Sequence, residues 1–157
     1  MLKREEATVN KLQKYETDRE YPLQIGLIEE ELLLKIHTDF LSDLGHEVYP
    51  FNSVSEMLEA QDETPSPLNV ILINVLMSQK ECISTVSKIR KRFPETPLIL
   101  MSENLTREEA SSCGVNLYID EPMNLSKLEF SLLEIQRNHR DLNETTWVQP
   151  KNIKEIM

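Results

Sequence analysis

Five short apolar runs, separated by stretches of helical periodicity, constrain the fold of this chain more than any other feature. The strongest run is "LNVILINVLM" at residues 68–77, and such near-continuous runs are typical of strands buried on both faces of a parallel sheet. The weaker runs are "LQIGLI", "HEVYPF", "PLILMS" and "VNLYIDEP". Strands that alternate with helices imply a parallel sheet covered by helices on both faces. We therefore predict an α/β, doubly wound (βα)5 fold with a central five-stranded parallel sheet.

The helical stretches carry recognisable ends. The first, "ELLLKIHTDFLSDLG", has apolar residues at helical spacing, among them Ile36 and Leu41, which are predicted to face the core. Gly45 is predicted to end this helix. In a short later helix, Thr106 and Glu109 have the spacing of a capping box.

The length of 157 residues suits one domain with terminal extensions. We predict a charged N-terminal extension at 1–20, which has a thin apolar stripe at helical spacing, a domain at 21–140 and a C-terminal tail at 141–157. No run has the length of a membrane-spanning helix, and the N-terminus lacks the apolar core of a signal peptide, so a cytoplasmic protein is expected. Cys82 and Cys113 are expected to be reduced thiols.

The charge of the chain argues against direct binding to nucleic acid. The net charge is −10 and the pI is about 4.8, whereas binding to a phosphate backbone requires clustered Lys and Arg. The one compact basic run, "KIRKRF" at 88–93, is interpreted as a solvated helix end.

Polar residues follow the apolar strands at the edge where function is expected. In open parallel sheets, ligands bind at the carboxyl ends of the strands. The residues at those ends are Glu29, Glu30, Asn74, Ser102, Asp120 and Glu121. The pattern therefore predicts a functional site at this edge.

Several stretches, taken in order, resemble the receiver domain of two-component response regulators over about residues 22–140. "IGLIEEE" looks like the first strand with its acidic pair, and "VILINVLMS" looks like the phosphoacceptor strand with its loop. "IRKRFPETPLILMS" is similar to the third helix, its turn and the fourth strand, and "YIDEP" to the fifth strand with its lysine–proline. The resemblance implies a receiver or flavodoxin-like fold. It also implies phosphorelay ancestry. Members of that family transfer a phosphoryl group from a histidine kinase to their own aspartate, with a bound Mg²⁺ ion.

Asn74 stands where that family has its phosphoaccepting aspartate. A carboxylate can form an acyl phosphate, whereas an amide is neutral and its nitrogen lone pair is delocalised. The acidic pair reads Glu29 and Glu30, although a shifted register would place Ile28 and Glu29 there. Because Mg²⁺ demands tight octahedral geometry, we expect no resident metal or other cofactor. Glu29 and Glu30 remain weak candidates for a divalent cation.

Glu121 occupies the position of the lysine that neutralises the phosphoryl group in the family. A carboxylate roughly 4 Å from a phosphoryl group is repulsive by about 1 to 4 kcal/mol. Ser78 replaces the proline of the loop. Glu29, Glu30 and Glu121 are therefore predicted to form an acidic pocket around the neutral Asn74 amide, and we interpret the chain as a degenerate pseudo-receiver.

Two further positions resemble the switch residues of the family, the hydroxyl on the fourth strand and the aromatic residue on the fifth. Ser102 and Tyr118 occupy them. The alternative is that Ser102 only caps a strand end and that Tyr118 packs with its hydroxyl at the surface. The fourth helix is expected to be about one turn shorter than in the family.

The last helix presents a candidate interface. Leu125, Leu128, Leu132 and Ile135 form the predicted core stripe, whereas Phe130 and Leu133 project away from it. An exposed aromatic residue and a leucine one turn apart are candidate interface anchors. We expect a homodimer through this face first and a different protein partner second, with the alternative that the C-terminal tail covers both side chains.

The favoured function is a non-enzymatic signalling module that acts by protein–protein interaction, or as an adaptor, without aspartyl phosphorylation. The alternative is a domain that senses a divalent cation or small ligand at the acidic pocket, since Ca²⁺ accepts looser geometry than Mg²⁺. An enzyme is not expected, because His37, His46 and His139 are scattered along the chain. Phosphorylation of Ser78 or Ser102 remains open.

Overall fold

The computed structural model describes residues 22–60, 64, 68–120 and 124–144, with side chains as far as residue 138. Five strands and five helices alternate along these residues, as the sequence predicts. The strands are β1 (Gln24–Glu29), β2 (Glu47–Phe51), β3 (Val70–Asn74), β4 (Leu98–Met101) and β5 (Leu117–Ile119). The helices are α1 (Glu31–Asp43), α2 (Val54–Glu59), α3 (Gln79–Arg92), α4 (Arg107–Ser112) and α5 (Leu125–Glu144). The N-terminal extension at 1–20 and the tail beyond residue 144 lie outside the described residues.

All neighbouring strands are parallel, in the order β2-β1-β3-β4-β5. The chain places β2 on one side of β1 and then crosses to β3 on the other side, so the order reverses between β1 and β3. In open α/β sheets, the crevice at such a reversal is where ligands bind. Glu29 pairs with Asn74 across these two strands, which places both residues at the reversal.

The core has two layers because side chains alternate between the two faces of each strand. On one face, Leu27 of β1 packs in a cluster with Leu41 of α1 and Leu132 of α5. On the other face, strand residues pack with Met57 of α2 and Ile89 of α3. The strands β1, β3, β4 and β5 are therefore buried on both sides, which is why their runs in the sequence are nearly continuous, whereas β2 keeps exposed residues.

The predicted end of α1 and the predicted capping box of α4 are confirmed. The Ser53 hydroxyl accepts a hydrogen bond from the Glu56 backbone N–H at the start of α2, and a capping box of Thr106 and Glu109 begins α4. Gly45 follows α1 with φ of 98°, a left-handed conformation that glycine adopts without steric strain. The fourth helix, α4, has only six residues.

The buried face of α1 differs from the prediction. Ile36 is 58% exposed and Leu32 is 88% exposed, whereas His37 is only 4% exposed and Leu41 is fully buried. Leu34, His37 and Leu41 share the helix face that turns to the sheet, at spacings of three and four residues. The prediction for Ile36 was wrong because a histidine stands in the middle of the buried stripe.

The basic run at the end of α3 is not simply a solvated helix end. Arg90 donates hydrogen bonds to the Thr96 carbonyl at 2.6 Å and to the Asn116 side chain at 2.8 Å. Arg92 donates to the Met57 carbonyl at 3.3 Å. Burial lowers the pKa of Arg90 from its usual value. Arg90 therefore ties α3 to the neighbouring loops at Thr96 and Asn116, and Arg92 ties α3 to α2.

His46 anchors the start of β1. Its ring is 7% exposed, and its Nδ1 atom accepts a hydrogen bond from the Leu23 N–H at 3.1 Å. An accepting Nδ1 requires the neutral imidazole with its proton on Nε2. Burial lowers the pKa of His46 to about 4.

We expect His46 to make folding sensitive to acid. Because its folded pKa lies below the unfolded value of 6.5, the unfolded chain takes up the proton first. The contribution of the neutral His46 ring to the free energy of unfolding is fully present above pH 6.5 and is lost as the pH falls toward 4. Relative to His46→Gln, which keeps an acceptor, the wild-type free energy of unfolding should drop by about 2 to 3 kcal/mol between pH 7 and pH 4.5. Urea unfolding at both pH values measures this difference, and equal drops in both proteins would contradict it.

Candidate functional site

A buried carboxylate lies where β1 and β3 end side by side. Glu29 closes β1 with no exposed surface, and Asn74 closes β3 directly opposite. The Asn74 Nδ2 atom donates a hydrogen bond to Glu29 Oε1 at 2.5 Å. The register of the sheet therefore places the side-chain amide of Asn74 against the carboxylate of Glu29.

His37 is the second partner of Glu29. Its Nδ1 atom lies 2.6 Å from Oε1 and 2.6 Å from Oε2 of the carboxylate. Glu29 is a carboxylate acceptor, so Nδ1–H is the donor. Hydrogen bonds to charged groups contribute roughly 1.5 to 3 kcal/mol each, and a buried carboxylate without partners would be strongly destabilising. His37 and Asn74 together therefore stabilise the burial of Glu29.

The other ring nitrogen of His37 has no partner. Nε2 is a buried atom without a hydrogen bond. It carries either a lone pair or a proton, and in both states a buried polar group without a partner costs about 1 to 3 kcal/mol. The sequence prediction did not single out His37, since a lone histidine in a helix carries no signal of its partner.

The predicted acidic pocket is only partly assembled by the described residues. Glu29 lies beside Asn74, as expected. Glu30 is exposed and stands at the start of α1 without a capping hydrogen bond from its side chain. Glu121 lies outside the described residues.

The described residues of this edge do not fit a divalent cation. Both oxygens of Glu29 are engaged by His37 and one of them also by Asn74, whose amide presents its donor nitrogen to the carboxylate. Mg²⁺ requires oxygen ligands that are free to point at it. Within the ranges that the structure describes, no group of three or more His, Cys, Asp or Glu residues could hold a metal ion.

The two switch-like residues are buried together at the ends of β4 and β5. The Tyr118 hydroxyl lies 2.5 Å from the Leu105 carbonyl and 2.7 Å from the Ser102 carbonyl. Tyr118 is 2% exposed, so the alternative of a hydroxyl at the surface was wrong. Burial raises the pKa of Tyr118, which keeps its hydroxyl a donor.

Asn104 connects this corner to the loop after β3. The Ser102 hydroxyl, itself 1% exposed, hydrogen-bonds to the Asn104 side-chain oxygen. The Asn104 amide then donates to the Met77 carbonyl at 2.9 Å. Ser78 begins α3 in a capping box with Glu81, so both contacts hold the end of this loop that leads into α3.

The candidate interface on α5 is smaller than predicted. Phe130 is 46% exposed, and Leu133 is partly buried. Leu128, Leu132 and Ile135 are buried in the core, as the stripe predicts, and Leu125 packs against them. Of the two predicted anchors, only Phe130 presents a largely exposed side chain. Trp147, in the tail expected as an alternative cover, lies outside the described residues.

Cys82 and Cys113 are buried free thiols that adjoin each other where α3 begins and α4 ends. Burial, and then the neighbouring Cys113 thiol, raise the pKa of Cys82 to about 12. The reactive form of cysteine is the thiolate. Cys82 is therefore a packing residue and no candidate nucleophile.

Removing the Tyr118 hydroxyl should destabilise the protein. Tyr118→Phe leaves the carbonyls of Ser102 and Leu105 without this donor and should lower the free energy of unfolding by about 1 to 3 kcal/mol. Tyr49→Phe is the matched control, because the Tyr49 hydroxyl makes only an exposed contact at 3.5 Å with Glu47. It should change stability by about 0.5 kcal/mol or less. Equal effects in chemical denaturation would contradict the assigned role of Tyr118.

No helix in the described part of the chain is long and apolar enough to cross a membrane. No family model and no curated protein matches the chain.

Solved structures share the fold at low sequence identity. A CheY-like response regulator receiver domain protein from Methanospirillum hungatei has a TM-score of 0.63 and 18% identity, over 76% of this chain and 98% of that one. A structure described as adenylate cyclase from Rhodopirellula baltica has a TM-score of 0.62 and 23% identity, over 78% and 93%. A two-component response regulator from Clostridium difficile has a TM-score of 0.61 and 18% identity, over 73% and 96%. The five-stranded parallel sheet of this chain, with its helices, has the flavodoxin-like fold of CheY-like receiver domains.

Proposed function

We propose that this chain is a response-regulator-like signalling module of phosphorelay ancestry that acts without aspartyl phosphorylation. It works as a non-enzymatic adaptor, through contacts with another protein or with a second copy of itself. The observation that carries this proposal is the hydrogen bond from the Asn74 amide to the buried Glu29 carboxylate. At the position where a receiver needs a charged nucleophile, this chain has a neutral donor.

The chemistry of the amide supports the loss of phosphoryl transfer. An acyl phosphate forms when a carboxylate attacks phosphorus. The amide nitrogen of Asn74 is instead directed at Glu29 at 2.5 Å. The nearest carboxylate, that of Glu29, is fully buried and engaged by His37, so it does not replace the missing aspartate.

The same contacts support a module that works without a bound metal. A cation would have to displace His37 from a carboxylate that has no exposed surface. For this reason we favour protein interaction over cation sensing at the predicted acidic pocket.

The burial of Tyr118 and Ser102 supports a single resting conformation. Tyr118 is held between two backbone carbonyls, and Ser102 is 1% exposed. A buried hydroxyl is also a poor substrate for a kinase, so Ser102 is not proposed as a substitute phosphorylation site. The module is either constitutively in this conformation or is changed by a bound partner.

Neither histidine with a described side chain is placed for catalysis. His37 donates to Glu29, and the Nδ1 atom of His46 accepts from the Leu23 backbone. A general base must reach the proton that it removes, and neither ring is hydrogen-bonded to a Ser, Cys or Thr side chain among the described residues. This arrangement supports an interaction module over an enzyme.

Incubation with acetyl phosphate tests the loss of phosphorylation. The wild-type protein should show no mass gain of one phosphoryl group in intact mass spectrometry, because Asn74 offers no nucleophilic carboxylate. A receiver domain that has an aspartate at the acceptor position serves as the positive control. A phosphoryl adduct on the wild type that disappears in Asn74→Ala would overturn the proposal.

Phe130 is the proposed anchor of the interface. Phe130→Glu should weaken self-association at least about tenfold, because it places a charge at the centre of an apolar contact. Ile83→Glu is a matched control, since Ile83 is 49% exposed and lies on α3, which packs on the opposite face of the sheet. Sedimentation velocity over a range of protein concentrations measures the effect. A wild type that sediments as a monomer throughout would exclude the homodimer and leave the heterologous partner.

A further inference from the structure

We propose that His37 takes the place of a divalent cation at Glu29, and that it would exclude such a cation even if an aspartate stood at position 74. This inference rests on the proposed function and deepens it. It assigns to a helix residue the task of donating a hydrogen bond to the buried carboxylate, and His37 is therefore a positioning residue for Glu29.

The first step is the demand that Glu29 makes on its surroundings. A carboxylate with no exposed surface must be compensated by donors or by a cation. Here the compensation comes from the chain itself. The Nδ1 atom of His37 lies at 2.6 Å from each oxygen, and the Asn74 amide binds one of them at 2.5 Å.

The second step is geometric. A donor that is equidistant from both carboxylate oxygens occupies the region in front of the carboxylate, where a cation would also bind. His37 and a divalent cation are therefore competitors for one place. His37 is 4% exposed and lies on the buried face of α1, so the ring is packed in this place.

The third step concerns what else could explain a histidine at this position. Its neighbours on the buried face are Leu34 and Leu41, both part of the apolar layer. The Nε2 atom is buried without a partner, which is unfavourable. Packing alone would be served better by an apolar side chain, so the contact of Nδ1 with Glu29 is the favourable interaction that the histidine provides.

The fourth step separates the role of His37 from that of Asn74. Replacing Asn74 by aspartate removes one donor from Glu29 and adds a second carboxylate beside it. His37 would remain in front of Glu29 in that variant. An aspartate at position 74 is therefore expected to be insufficient for metal binding, and removal of the His37 ring is needed as well.

The experiment compares variants of the full chain at one fixed pH, with Mn²⁺ as the probe and electron paramagnetic resonance of free Mn²⁺ as the readout. Asn74→Asp should bind Mn²⁺ weakly or not at all. Asn74→Asp combined with His37→Leu should bind at least about tenfold more tightly. The matched control is Asn74→Asp with His46→Gln, which changes a buried histidine that does not contact Glu29 and should behave like Asn74→Asp alone.

Two results would overturn the inference. The first is Mn²⁺ binding by Asn74→Asp alone that is as tight as in the double variant. The second is a double variant that is folded by circular dichroism and does not bind. These assays contain no phosphoryl donor, so they fail or succeed independently of the acetyl phosphate test on the wild type.

A measurement on the wild-type protein covers the case in which the double variant does not fold. Nuclear magnetic resonance of the His37 ring should show a proton on Nδ1 that exchanges slowly with water, and millimolar Mg²⁺ should leave its resonances unchanged. A saturable shift of these resonances with Mg²⁺, or an Nδ1 atom without a proton, would refute the inference.

Discussion

The burial of one carboxylate, that of Glu29, is the constraint on which the candidate site depends. Removing a carboxylate from water costs several kcal/mol even after the protein relaxes, so the surrounding elements must provide donors. The sheet register brings Asn74 to it, and α1 brings His37. The same three residues explain why the edge does not fit a metal, since the donors already occupy the oxygens that a cation would need.

A second group of hydrogen bonds lies near the ends of β4 and β5. Tyr118 lies against the backbone carbonyls of Ser102 and Leu105, and Asn104 carries the connection to the Met77 carbonyl in the loop after β3. The loops after β3 and β4 are thus joined through the Asn104 side chain. Hydrogen bonds in a buried network restrict the conformations that are available, which is consistent with a module that presents one surface to its partners.

The fold could be predicted because parallel strands covered on both faces leave nearly continuous apolar runs, of which Val70–Asn74 is the clearest. The site could be predicted only in part. Asn74 was identified from its position at the end of this strand, but the sequence did not reveal that Glu29 is buried and Glu30 exposed. His37 was missed because its partner is eight residues away and because the spacing of Ile36 was assigned to the core. The one available signal was a histidine flanked by Leu34 and Leu41 at helical spacing.

Asn74 and His37 are physically matched to each other. With Asn74, the buried network contains one carboxylate and two donors, and every contact between them is favourable. With aspartate at position 74, two carboxylates would share the single His37 donor, and their mutual repulsion in a poorly solvated site would exceed that of an exposed pair. Residues in such direct contact have coupled, non-additive effects on stability. The neutral Asn74 amide and the buried Glu29 carboxylate are therefore electrostatically coupled, and an aspartate at position 74 would add a second negative charge beside Glu29.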